Sequence, residues 1–217
     1  RTGTWRPVPA TVAATTEIPA GGTQHITLPG APDKGLTGAV LTLNTTGTVA
    51  GHIRVTPSGA TTRADAVDVV KGTRSATVFT ATTDAAVTLK NTAQAPTTVT
   101  VALGGWVTTP QPGAARLRPS SSDLGTFRAA TEKTITGKVP ATARAVVLAV
   151  TTKGAGKAGG VTVWSAGDRP GVRSVDVRAR RSNTDLVVVN LSEDKAIRVA
   201  GAPRKARVSL RLVGVIG

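Results

Sequence analysis

One pattern of residues runs through this 217-residue chain twice. Ala39-Val40-Leu41-Thr42-Leu43-Asn44-Thr45-Thr46 returns as Ala145-Val146-Val147-Leu148-Ala149-Val150-Thr151-Thr152, and Ile53–Gly59 returns as Val161–Gly167. Val67-Asp68-Val69 returns as Val175-Asp176-Val177, and Val99–Val107 as Val208–Ile216. The offsets are 106, 108, 108 and 109 residues, so the register drifts only by loop-sized insertions. Such a period exceeds any solenoid or propeller unit and matches a whole small domain. Two tandem domains are therefore expected, residues 1–109 and 110–217.

The repeated stretches are rich in Val and Thr, whose branched Cβ favours strands. With 24 Gly and 13 Pro between them, they read as all-β. Copy one shows seven strand-like runs, near Gln24–Leu28, Ala39–Asn44, His52–Thr56, Ala64–Val70, Ser75–Ala81, Ala86–Lys90 and Thr98–Leu103. Copy two repeats them near Lys133–Thr136, Arg144–Val150, Gly160–Trp164, Arg173–Arg178, Asp185–Leu191, Ala196–Ala200 and Ala206–Val213. Leu41 and Leu43 alternate with Val40, Thr42 and Asn44, giving each strand one apolar face. Two sheets sharing a core are implied, so the expected fold is two tandem β-sandwiches, immunoglobulin-like or jelly-roll-like. Residues Arg1–Gly22, with Pro7, Pro9 and Pro19, read as irregular or edge structure. Thr108–Gly113 reads as a short stiff linker, and Gly125–Thr131 is the best candidate for a short helix.

These patterns carry a resemblance. An A-V-x-L-N-x-T strand, a Gly-led strand with V-x-P-x-G and a closing V-x-V-x-x-x-x-W-V resemble a repeated β-rich domain of secreted actinobacterial proteins. That domain is often appended to extracellular hydrolases, and the likeness spans roughly Gly22–Val107 and Ala130–Ile216. Members often carry R-x-x-D-[TS]-R near the domain start, which neither Trp5-Arg6-Pro7-Val8 nor Arg116-Leu117-Arg118-Pro119 keeps. The resemblance implies an extracellular accessory module. A secreted or surface protein is expected, freed of an upstream segment, because a chain starting at Arg1 contains no Met. No apolar run approaches the ~18 residues of a spanning helix.

Catalytic constellations do not assemble, and no enzyme is expected. There is no Cys, and the two histidines, His25 and His52, read as surface or edge residues. A Ser-His-Asp site around Ser58 and Asp68 would lack a G-x-S-x-G elbow. Zinc has too few ligands, and Glu17, Glu132 and Glu193 suggest no paired-acid cleft. Asp68 and Asp176 recur at one place, either as calcium or sugar ligands or as outward residues paired with a neighbouring Arg or Lys; the second reading is preferred, since calcium needs clustered oxygens. Lys153–Gly160 lacks the Ser or Thr of a phosphate loop and reads as a hairpin loop. No cofactor or metal is expected.

Charge separates the copies. Residues 1–109 carry 8 Lys/Arg against 5 Asp/Glu, whereas 110–217 carry 19 against 7, most of the overall +15. Arg173, Arg178, Arg180, Arg181, Arg204, Lys205, Arg207 and Arg211 form the candidate site, a basic patch for an anionic partner. An anionic cell-wall polymer or an acidic protein surface fits it. Nucleic acid is disfavoured for want of stacking aromatics or a reading helix. Trp164, which replaces Thr56 of copy one, is the candidate carbohydrate contact. The reading is a non-catalytic extracellular adhesion or assembly module. The alternatives are a carbohydrate-binding accessory module and a filament or particle subunit that pairs its N-terminal segment with a neighbour's sheet edge.

Overall fold

A computed structural model describes residues 4–58, 65–109, 117–128, 132–154, 156–165, 167–201 and 206–217. The described residues form strands and connections with no helix. The chain divides into two compact units, Arg1–Pro112 and Gly113–Gly217. Most of the expected linker lies outside the described residues.

The first unit contains β1 (Thr4–Ile18), β2 (Thr23–Thr27), β3 (Leu36–Gly47), β4 (Gly51–Pro57), β5 (Asp65–Val69), β6 (Gly72–Thr80), β7 (Ala86–Asn91) and β8 (Thr97–Thr108). The second contains β9 (Leu117–Arg128), β10 (Lys133–Ile135), β11 (Ala145–Lys153), β12 (Gly159–Trp164), β13 (Val175–Val177), β14 (Ser182–Asn190), β15 (Ile197–Gly201) and β16 (Arg207–Ile216). The fourteen strands expected from sequence are all present. Two more, β1 and β9, open the units.

Each unit holds two four-stranded antiparallel sheets. The orders are β1-β8-β3-β6 and β2-β7-β4-β5 in the first, β9-β16-β11-β14 and β10-β15-β12-β13 in the second. Adding eight to every label converts one unit into the other. Only β4–β5 and β12–β13 are joined within a sheet; every other connection crosses between sheets, the wiring of an eight-stranded jelly roll. Leu41, Leu43, Val99, Val101 and Leu103 from one sheet meet Ile53, Val55, Val87 and Leu89 from the other in a single core. Val146, Leu148, Val150, Val208 and Leu210 meet Val161, Val175, Ile197 and Val199 in the second.

The N-terminal segment, expected as irregular or edge structure, is a long strand at the edge of its own sheet, paired with β8 on one side. Its prolines are tolerated because an edge strand pairs on one side only. Gly125–Arg128 is the end of β9, not helix, and residues 129–131 lie outside the described set. The stretch after Lys153 links β11 to β12 in different sheets, so it is an arch and not a hairpin. Finally, the first repeat match shifts by one residue. Val40 pairs with Gly105 and Val147 with Gly214, so Leu41 corresponds to Leu148, not to Val147. A one-residue slip would turn the core face of a strand outward.

A turn before the penultimate strand also repeats. Thr82 donates its hydroxyl to Asp84, which accepts the Ala86 N–H at 3.3 Å. Ser192, Asp194 and Ala196 do the same in the second unit. The residue after each Asp, Ala85 or Lys195, takes a left-handed φ of 55° or 51°.

Candidate functional site

The outer face of the β9-β16-β11-β14 sheet brings cations together. Ser182, Lys153, Arg207 and Arg128 are successive cross-strand partners on β14, β11, β16 and β9. Directly opposed residues project to one face, and alternation puts Val208 and Thr152 inward while Lys153, Arg207 and Arg128 stand exposed. Three positive side chains thus line up across three adjacent strands, with neighbouring Cβ atoms about 5 Å apart. Arg181 adds a fourth charge at this end, where its carbonyl accepts the Gly154 N–H at 3.0 Å.

One step along the strands, the row becomes Thr184, Thr151, Ser209 and Thr126. Thr151 and Thr184 are hydrogen-bonded at 2.8 Å, Thr126 and Ser209 at 2.7 Å. The next row is Leu186, Ala149, Arg211 and Asp123. There Arg211 donates to the Ser121 hydroxyl at 2.8 Å and stands opposite an acid, so its charge is partly offset.

The first unit has the same rows with different charges. Thr73, Thr46, Thr98 and Glu17 occupy the places of Ser182, Lys153, Arg207 and Arg128. The hydroxyl pair persists as Thr15···Thr100 at 3.1 Å. The scaffold is common, and the cation row belongs to the second unit.

Of the residues expected from sequence, Arg207 is in this row, Arg211 lies on the same face, and Arg181 is exposed beside the Ser182 end of the row. Arg178 is half-buried just after β13, and Arg180 sits exposed in the turn to β14. Arg173 belongs elsewhere: its stem fills the place a Gly160 side chain would take, on the other sheet. Arg204 and Lys205 lie outside the described residues. Lys153 and Arg128 escaped sequence reading, the first assigned to a loop and the second to a helix. Their signal was a cation wherever the aligned copy has Thr46 or Glu17.

Trp164 is 6% exposed, although it points away from the core-facing Val161 and Val163. The following loop folds back on the strand, through Thr162 Oγ1 donating to the Val172 carbonyl at 3.3 Å and Val163 N–H donating to Ser174 at 2.9 Å. A sugar platform needs an open ring face, which this indole does not present. Trp106, 1% exposed, belongs to the first core.

Both histidines are exposed on strands of the first unit. His52 Nδ1 lies 3.2 Å from Asp68, which also meets Arg74 at 3.4 Å. Ser58 hydrogen-bonds to Asp84, leaving His52 and Asp68 without a nucleophile from that residue. Asp68 is thus the outward, paired residue expected. Asp176 is not outward: it is 5% exposed, on a strand pair where it lies opposite Gly160. Among the described residues no group of three or more His, Asp or Glu could hold a metal ion. No helix there is long and apolar enough to cross a membrane.

No family model matches the chain, and no curated protein matches it. Among solved structures it is similar to the crystal structure of the PBSX exported protein XepA, at 14% identity over 98% of this chain and 93% of that one, with a TM-score of 0.33. At that score the likeness carries no weight for fold or role.

Proposed function

We propose that the chain is a non-catalytic extracellular docking module whose second unit holds polyanions on the outer face of the β9-β16-β11-β14 sheet. One observation carries this reading: Lys153, Arg207 and Arg128 are direct cross-strand neighbours of like charge. Like charges in that relation destabilise a sheet. The fold does not require them, since the first unit builds the same sheet with Thr46, Thr98 and Glu17. An arrangement that costs stability and serves no packing need is accounted for by a ligand that neutralises it. Catalysis has no comparable support. The extracellular setting rests on the resemblance to secreted repeat domains.

The test is retention of the full chain on an immobilised polyanion in a salt gradient. Binding should weaken steeply with salt, as screening removes attraction between exposed charges. Replacing Lys153, Arg207 and Arg128 together by Gln should lower affinity by about 30-fold or more. Unchanged retention of that variant would sink the proposal.

A further inference from the structure

Within the proposed polyanion reading, we infer that the ligand is an acidic polysaccharide lying across the strands. The cation row runs perpendicular to the strands, from Lys153 through Arg207 to Arg128. Its repeat is the interstrand spacing of about 4.8 Å. An extended glycan with one acid group per sugar advances by a similar length per charge. Inorganic polyphosphate has a shorter charge repeat, and an extended nucleic acid strand a longer one.

The second feature is the parallel row of hydroxyls about 6.8 Å away along the strands. In Thr126···Ser209 and Thr151···Thr184 one O–H is used inside each pair. The other O–H of each pair and the spare lone pairs face solvent. Donors and acceptors side by side suit the hydroxyl groups of a sugar ring. A polyphosphate, whose oxygens only accept, gains less from them. Among the described residues this face carries no aromatic side chain on which a nucleobase could stack, its exposed large apolar groups being Leu186 and, at the far end of β9, Leu117. One hydroxyl pair comes with the shared scaffold, as Thr15···Thr100, whereas Asn44 and Ser75 stand where the second unit has Thr151 and Thr184. The second hydroxyl pair and the cations added beside it turn that row into an acid-sugar site.

The experiment compares the full chain on polygalacturonate, which has one carboxylate per sugar, with inorganic polyphosphate and double-stranded DNA at equal charge and ionic strength. Polygalacturonate should bind at least tenfold tighter than either. In the double variants Thr126→Val/Ser209→Ala and Thr151→Val/Thr184→Val the ratio of polygalacturonate to polyphosphate affinity should fall about fivefold each, one lost hydrogen bond apiece. Because both affinities are read on one protein sample, partial misfolding cannot mimic the change. Equal or tighter binding of polyphosphate or DNA, or a ratio the hydroxyl variants do not move, overturns the polysaccharide assignment and leaves polyanion docking standing. Failure to bind any of the three polymers overturns both.

Discussion

Lys153 on β11 and Arg207 on β16 stand directly opposite each other on the exposed face of their sheet, and Arg207 has Arg128 on its other side. Replacing Lys153 and Arg207 with the first unit's residues, Lys153→Thr and Arg207→Thr, should stabilise the second unit by about 0.5–1 kcal/mol at low salt. The gain should shrink as salt screens the repulsion. Urea unfolding of both proteins at two ionic strengths measures it. A loss of stability would mean the cations have structural partners.

Trp5 lies against the backbone of Gly105, where an added Cβ would come within 2.3 Å of the indole. In the second unit Leu117 covers Gly214 in the same way, at 2.6 Å, but this leucine is 62% exposed and its methyl can swing aside. Gly105→Ala should therefore cost about 1–3 kcal/mol by overpacking the start of β1, and Gly214→Ala less than about 0.5 kcal/mol. Thermal unfolding of the two variants should separate them clearly. Equal effects would refute the role given to Trp5.

Asn91 is fully buried and ties β7 to the first unit's entry strand. Its amide group donates to the carbonyls of Ile18, Pro19 and Ala95, while its own oxygen accepts the Ala93 N–H. Asn91→Ala should destabilise the first unit by about 2–4 kcal/mol, because buried carbonyls and an N–H lose their partners together. Hydrogen exchange should show faster opening near Ile18 and Ala93 than in the second unit. Unchanged protection there would contradict this account.

Acid should weaken the turns before β7 and β15. The Ser58 hydroxyl first, then Thr82 and the Ala86 N–H, hold Asp84 below the ordinary carboxylate value of 3.8. Ser192 does the same for Asp194, with Ala196 and Arg198 behind it. A carboxylate lowered in the folded state stabilises the fold above its unfolded pKa, and this contribution is lost as pH falls through the lower folded value. The acid limb of a stability profile should therefore fall below about pH 4. In Asp84→Asn that limb should be shallower, while stability at pH 7 should be lower than in the parent. A variant with an unaltered acid limb would assign the acid response to other groups.

Strand periodicity carried much of the fold in the sequence. Leu41 and Leu43 alternate with Thr42 and Asn44, and a branched, half-apolar run of this kind has few other ways to bury itself. β1 and β9 were less legible. Pro7 and Pro119 sit in them, and proline argues against a strand unless the strand lies at an edge, which only the assembled sheet reveals. Arg207 and Arg211 were readable as one solvent face because they are two steps from Ser209 on a single strand. Lys153 and Arg128 were not, since each belongs to a different strand and only pairing makes them neighbours.

The residues alone determined that two similar all-β units exist, that their inner faces repeat, and that the second unit is the basic one. These are local or compositional properties: alternation needs only a strand's own residues, and net charge needs no fold at all. Tertiary structure decided which side chains share a row. Register is set between strands, and here it depends on irregularities such as the extra residue Leu124 between the pairs Leu210–Gly125 and Arg211–Asp123. A slip of one residue there would send the neighbouring side chains to the opposite face. The corrected match of Leu41 with Leu148 has the same cause: likeness of residue type aligned the copies to within one position, and the choice between core and solvent needed the pairing itself.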